Sequence, residues 1–229
     1  MNKKLLVFLI LVGLVYPSTG LTQSKEQQLN ATCKVLLEQL EETPANVELL
    51  CELAEVHFYL GDWLDPKQQL LTWETGVGYA HRAVELNPQS PDAHYWIAAL
   101  SGKIGNAQGI LQSLLLVNTM FEHLEITLDL DPNYAWAYFV LSHLYWELPP
   151  KPLGKGDRQQ ALNCARRAWE LDLIEPEFSV HYAKLLVKQR QSDQARQVLE
   201  QALAYPHTQW TIPLRSEAEE LLASLVARR

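Results

Sequence analysis

The chain has 229 residues, 48% of them hydrophobic and 20% charged, with a formal net charge of −8 at pH 7. Nucleic acid and anionic membrane surfaces attract basic footprints, so this acid excess excludes both as principal partners. Three cysteines without a CxxC pair, and seven histidines without an i, i+4 pair, exclude a zinc site made by local spacing.

The first twenty residues have the layout of a cleaved export signal. Lys3 and Lys4 open it, Leu5 to Val15 is an unbroken apolar run, and Ser18, Thr19 and Gly20 supply small residues for a peptidase. Eleven apolar residues are fewer than the ~20 a spanning helix needs. Leu21 follows Gly20 and Cys33 lies far downstream, so no lipoprotein anchor is evident. The expectation is an exported protein, periplasmic or secreted, whose single folded domain runs over 21–229. That body has a charge of −10, because the signal holds two of the 19 basic residues and none of the 27 acids.

Beyond the signal, Gly, Pro and Asn punctuate apolar-periodic segments, and strand alternation is not sustained. The pattern predicts a helix over 25–42, then four helical hairpins at about 45–86, 91–130, 133–172 and 177–204. Their helices are expected at 46–60 with 67–86, 91–103 with 107–130, 133–147 with 157–172, and 177–190 with 193–204. A cap over 213–229 follows, with Ala218, Leu221, Leu222, Leu225 and Val226 on one stripe. Pro44, Pro88, Pro132 and Pro176 stand 44 residues apart, which marks a repeated hairpin. The fold class is therefore all-α, a right-handed superhelical array of hairpins closed by a capping helix.

Small residues recur inside this frame. Ala161, Ala165 and Ala168 align with Ala195, Leu199 and Ala202 at a spacing of 34, and Gly76, Ala80 and Ala83 repeat the same internal spacing. First helices carry Leu53, Ile97, Leu141 and Tyr182, each followed by a small residue. Over about residues 45–205 the chain thus resembles a tetratricopeptide repeat (TPR) protein, in which such positions let antiparallel helices approach closely. Three hairpins exceed the plain length between their helices by 10, 10 and 7 residues. The glycines at 102, 105 and 109 are expected to make a tight turn before a long helix, with close approach of the backbone to a ligand or another helix as the alternative.

With its lengthened second helices and the run from Pro149 to Asp157, the layout resembles the T component of TRAP transporters, TatT. A similar layout is shared by eukaryotic regulators of microtubule dynamics. The TatT resemblance implies an exported TPR-type subunit that pairs with a periplasmic solute-binding protein in uptake of small organic or hydrophobic ligands. It also implies a homotrimer with a cleft or channel through each subunit.

In a TPR array the first helices line the concave face. Trp136, Phe139, His143, Trp146 and Glu147 fall on one stripe of the third, and Asp92, Tyr95, Lys103, Glu177, Lys184 and Lys188 take equivalent places on its neighbours. Such a stripe suits an apolar ligand or an extended peptide, or else fills the bore of a tight superhelix. Trp63, Trp73 and Trp96 are assigned to the core of the first hairpins. Cys33 and Cys51 are read as core thiols, with a disulfide as the alternative. Gly154-Lys155-Gly156 is not a phosphate-binding loop, no nucleophile elbow occurs, and His143 with Glu147 reads as a groove pair. No catalytic residue, metal or cofactor is expected. Pairing with a solute-binding protein leads; a general scaffold for a protein or peptide segment is the alternative, and an acyl-chain carrier a third.

Overall fold

Helix starts in this chain are set by side chains that accept hydrogen bonds from the free N–H groups of the first turn. Ser24, Asn46, Asp65, Ser90, Asp157, Glu175 and Thr211 all act this way, and Ser24 with Gln27 completes a capping box. The computed structural model describes residues 24–205 and 210–227, so the expected signal over 1–20 lies outside the described residues. Among the described residues there are ten helices and no named strand. They are α1 (Lys25–Glu42), α2 (Val47–Gly61), α3 (Pro66–Leu86), α4 (Pro91–Gln108), α5 (Ile110–Leu130), α6 (Ala135–Glu147), α7 (Arg158–Leu171), α8 (Pro176–Lys188), α9 (Ser192–Ala204) and α10 (Ile212–Val226).

Consecutive helices pair as hairpins, α2 with α3, α4 with α5, α6 with α7 and α8 with α9. α1 packs on α2 at one end, while α10 packs on α9 and α8 at the other. The all-α array of TPR-like hairpins with a C-terminal capping helix is thus present. Pro44, Pro88 and Pro132 follow helix ends, whereas Pro176 is the first residue of α8. Its ring pre-sets the first-turn φ and removes an N–H that would have no helical partner.

The hairpins close through small side chains. Ala54, Ala80, Ala83, Ala98, Ala161, Ala168, Ala183 and Ala195 are wholly buried, and so are Thr127 and Ser142 at equivalent places. Where α5 instead presents the large Met120, α4 offers Gly102, and a Cβ there would come within 2.9 Å of the Met120 Cε. Gly105 admits the Ser113 backbone in the same way, since its Cβ would sit 3.1 Å from the Ser113 Cα. Two of the three glycines expected in a turn are therefore inside α4, on the seam with α5. Only Gly109 breaks the chain, with φ 90° and ψ 179°, a region essentially reserved for glycine. α4 runs to Gln108 instead of ending near 103, and the extra length of this hairpin is helix.

The buried residues form two clusters. One extends from Leu29 in α1 to Leu141 in α6, the other joins α7 to α10, and Tyr145 packs against both. Trp73 and Trp96 are in the core, and the Trp73 indole N–H donates to the Phe58 carbonyl at 3.1 Å. Trp63 is not: it lies past the end of α2, in the turn before α3, and is 55% exposed. Cys33, Cys51 and Cys164 are free thiols, and burial pushes Cys51 up to about 12.

Two glycines of α3 should respond in opposite senses to the same change. A Cβ on Gly76 would meet the His57 Cβ at 2.8 Å, whereas one on Gly78 meets nothing within 4 Å. Gly76→Ala should destabilise by about 1–3 kcal/mol through overpacking. Gly78→Ala should stabilise by about 0.5–1 kcal/mol through helix propensity. Urea denaturation monitored by circular dichroism measures both.

Candidate functional site

The first helices α4, α6 and α8 carry the predicted stripe, and its middle is an aromatic block. Trp136 and Phe139 of α6 lie against Phe178 of α8, with ring centroids 4.7 and 5.3 Å away. His143 stacks on His181 at 3.9 Å, and Phe139 touches both rings. Phe178 is 1% exposed and wholly in the core, whereas Trp136 and Phe139 beside it are half-buried.

Beneath this block Ser142 is fully buried, and its hydroxyl donates to the Ala161 carbonyl at 2.8 Å. Its oxygen is 2.8 Å from Nε2 of His181, which must then be the donor. Burial, with the charges of His143, Lys184 and Lys188, lowers His181 to about 3. A neutral imidazole donating to a hydroxyl cannot take that hydroxyl's proton, so the serine and histidine are a structural tie across three helices. No hydrogen bond joins Glu147 to His143, whose ring stacks on His181, and the charge of Glu147 opposes the lowering of His143 by burial.

Toward the C-terminal end the stripe is basic. The Arg158 guanidinium lies 4.2 Å and the Lys188 ammonium 5.0 Å from the Trp146 ring. Lys184 forms an ion pair with Glu217 of the capping helix. Toward the N-terminal end it is acidic and phenolic. Tyr95 is 6% exposed, with Trp96 and Tyr134 at 4.9 and 5.0 Å, and the Tyr134 hydroxyl donates to Asp92 at 2.8 Å. Lys103 reaches both oxygens of Asp62, at 2.6 and 2.7 Å, and lies over the Phe58 ring at 4.5 Å.

Glu55, Tyr59, Tyr134 and Glu175 join this region and are not among the residues the sequence singles out. Burial, then the charges of Glu52 and Asp92, pushes Glu55 up to about 7. Glu175 also rises to about 7, chiefly by burial, and Glu177 is raised by burial while Lys103 opposes the shift. A signal for two of them is present in the spacing. Measured from Leu141 and Tyr182, His143 and Lys184 are at +2 and Glu147 and Lys188 at +6. From Leu53 those offsets give Glu55 and Tyr59. At these offsets α2 carries an acid and a phenol and α8 two bases, while α4 carries Lys103 and α6 carries His143 and Glu147.

Among the described residues no cluster of three His, Cys, Asp or Glu side chains is placed to hold a metal. Two pockets, of about 650 and 730 Å³, lie off the stripe. One is lined by residues of α7, α8 and α9, including Gln194 and Trp169, and the other mainly by the segment between α6 and α7 with Phe121.

Residues 18–148, which include α1 to α6, match the model of the family Regulator of microtubule dynamics protein 1-3. The chain belongs to this family. Regulator of microtubule dynamics protein 1 of Bos taurus is 29% identical over 209 residues, covering 82% of this chain and 64% of that protein. The same protein of Pongo abelii is 28% identical over 214 residues, covering 82% and 65%. The chain thus spans less than two thirds of the length of these relatives. A thermophilic TPR protein from Thermus thermophilus superposes with a TM-score of 0.51 at 26% identity, covering 75% of this chain and 82% of that one. MamA superposes with the same score at 16% identity, covering 92% and 99%, a likeness of fold alone. Family membership therefore lies with the regulators of microtubule dynamics, whose layout the sequence shares, and these matches do not point to TatT.

The crowded carboxylates carry a cost that pH should reveal. Glu55 binds its proton more tightly folded than unfolded, so its contribution is most favourable below pH 4.5 and is lost as pH rises toward 7. Glu55→Gln should therefore be more stable than the parent at pH 8, by about 1–2 kcal/mol after allowance for partial exposure, and nearly equal to it at pH 4.5. Denaturant midpoints at the two pH values test this.

Proposed function

We propose that the chain is a non-enzymatic interaction scaffold that holds an extended segment of a partner protein along its concave face. The observation that carries this reading is the groove stripe itself: acids and phenols from α2, α4 and the start of α8, aromatic rings from α6, and Lys184 and Lys188 from the rest of α8. A chain of about 3.3 Å rise per residue presents different side chains to each zone in turn. A small apolar ligand needs enclosure, and the two pockets described above lie elsewhere.

The regulators of microtubule dynamics that the chain resembles give the reading its biological class, a regulator acting through protein contacts. Pairing with a solute-binding protein, a hydrophobic uptake ligand and a trimer are what the TatT resemblance implies, and the family match adds no weight to them. We place the scaffold outside the cytoplasm because of the basic, apolar and small-residue zones of the first twenty residues.

Binding to an array of random ten-residue peptides tests the scaffold reading. A subset should bind, and Trp136→Ala together with Trp146→Ala should weaken those peptides at least tenfold while the helical content is kept. Peptide binding unaffected by both changes would move the site elsewhere. Mass spectrometry of protein purified without detergent should show no acyl passenger.

A further inference from the structure

Between α4 and α5 a pair of imidazoles is joined by a hydrogen bond. His94, 5% exposed in the first turn of α4, places Nδ1 2.8 Å from Nδ1 of His123 in α5, and its Nε2 is 3.0 Å from the Pro88 carbonyl oxygen. The two ring centroids are 5.0 Å apart, and His81 of α3 lies 6.3 Å from the His123 ring and nearly perpendicular to it. One turn further along α5 Thr127 is wholly buried, and its hydroxyl donates to the His123 carbonyl at 2.8 Å. The start of α4 is thus tied to α5 through histidine.

Each proton of this pair has one allowed place. A carbonyl oxygen only accepts, so the proton of a neutral His94 is on Nε2, and its Nδ1 is a bare acceptor. His123 must then donate from Nδ1, which leaves its own Nε2 unprotonated. A first added proton settles on that Nε2, and the bond between the two Nδ1 atoms survives with a charged donor. A second has only Nδ1 of His94 to occupy. It sets N–H against N–H and one cation against another, and the contact cannot be kept.

We propose that His94 and His123 form an acid-sensitive latch that holds the start of α4 against α5, closed until both rings are imidazolium. The segment it releases is the first turn of α4, where Asp92 accepts from Tyr134 on the groove, so opening also loosens that edge of the concave face. Burial, then the charge of His94, lowers His123; Glu122 of α5 opposes this and His81 of α3 adds to it, while none of these groups comes from α2 or α6. His123 therefore binds a proton less tightly folded than unfolded. Its cost is absent well above pH 6.5 and grows as pH falls below that value. The latch does not depend on what occupies the groove.

Nuclear magnetic resonance of the full chain with 15N-labelled histidine tests it. At pH 7.5 His94 should be the Nε2–H tautomer and His123 the Nδ1–H tautomer, with a 15N–15N coupling across the bond between their Nδ1 atoms. That coupling should vanish by pH 4.5. The backbone amides of His94 and Thr127 should then exchange with deuterium roughly tenfold faster than at pH 7.5, after correction for the intrinsic pH dependence. His123→Gln keeps a donor toward His94 and cannot titrate, so the acceleration should shrink to roughly threefold or less in it. Should that variant not fold, the tautomers and the coupling in the parent chain still decide. A coupling that persists at pH 4.5, or its absence at pH 7.5 with both rings as Nε2–H tautomers, would overturn the latch. Equal acceleration in His123→Gln would do the same.

Discussion

The structure depends on how closely two antiparallel helices can approach. Wherever a hairpin closes, one helix contributes Ala, Gly, Ser or Thr and the other contributes bulk, and the sum is held within narrow limits. Gly102 opposite Met120 shows the rule when the usual small residue is replaced by a large one. A backbone brought this near leaves polar atoms that must be satisfied at short range, and Ser142 and Thr127 do so with hydroxyls directed at carbonyls. The concave face follows from the same constraint. With the small positions committed to closure, the residues between them on each first helix are free to vary in chemistry, and they vary in order along the array.

That order has an energetic reading. A groove optimised for stability would neutralise its acids locally, as Lys103 does for Asp62. Glu55 and Glu177 instead stand without an ion pair, and burial raises the affinity of both for protons, with the charges of Glu52 and Asp92 adding to the shift at Glu55.

Much of the fold was legible because its rules are local. Caps, prolines and the 34-residue step of small residues located nearly every helix within a few positions. What escaped was contact between helices far apart in sequence. His94 and His123 share a hydrogen bond of 2.8 Å across 29 residues, and His181 reaches Ser142 across 39, while spacing rules examine only neighbours on one helix. Gly102 and Gly105 are ambiguous in sequence because glycines three apart suit both a turn and a packing seam, and only Met120 and Ser113 on the opposing helix decide. Of the groove, Trp136, Phe139, Trp146 and Lys188 were placed by register alone. Glu55 and Tyr59 follow from the same register extended to the first hairpin.

The core of the array is divided at α6, with Tyr145 packed against both parts. The aromatic block of Trp136, Phe139, His143, Phe178 and His181 bridges that joint on the inner side, and the Ser142 hydroxyl pins α6 to α7 and α8 beneath it. Glu55 and Asp92 come from helices of the first cluster, whereas Glu175 and Glu177 begin α8 of the second, so the acidic region draws on both sides of that joint and the chemistry of the groove is coupled to the packing beneath it.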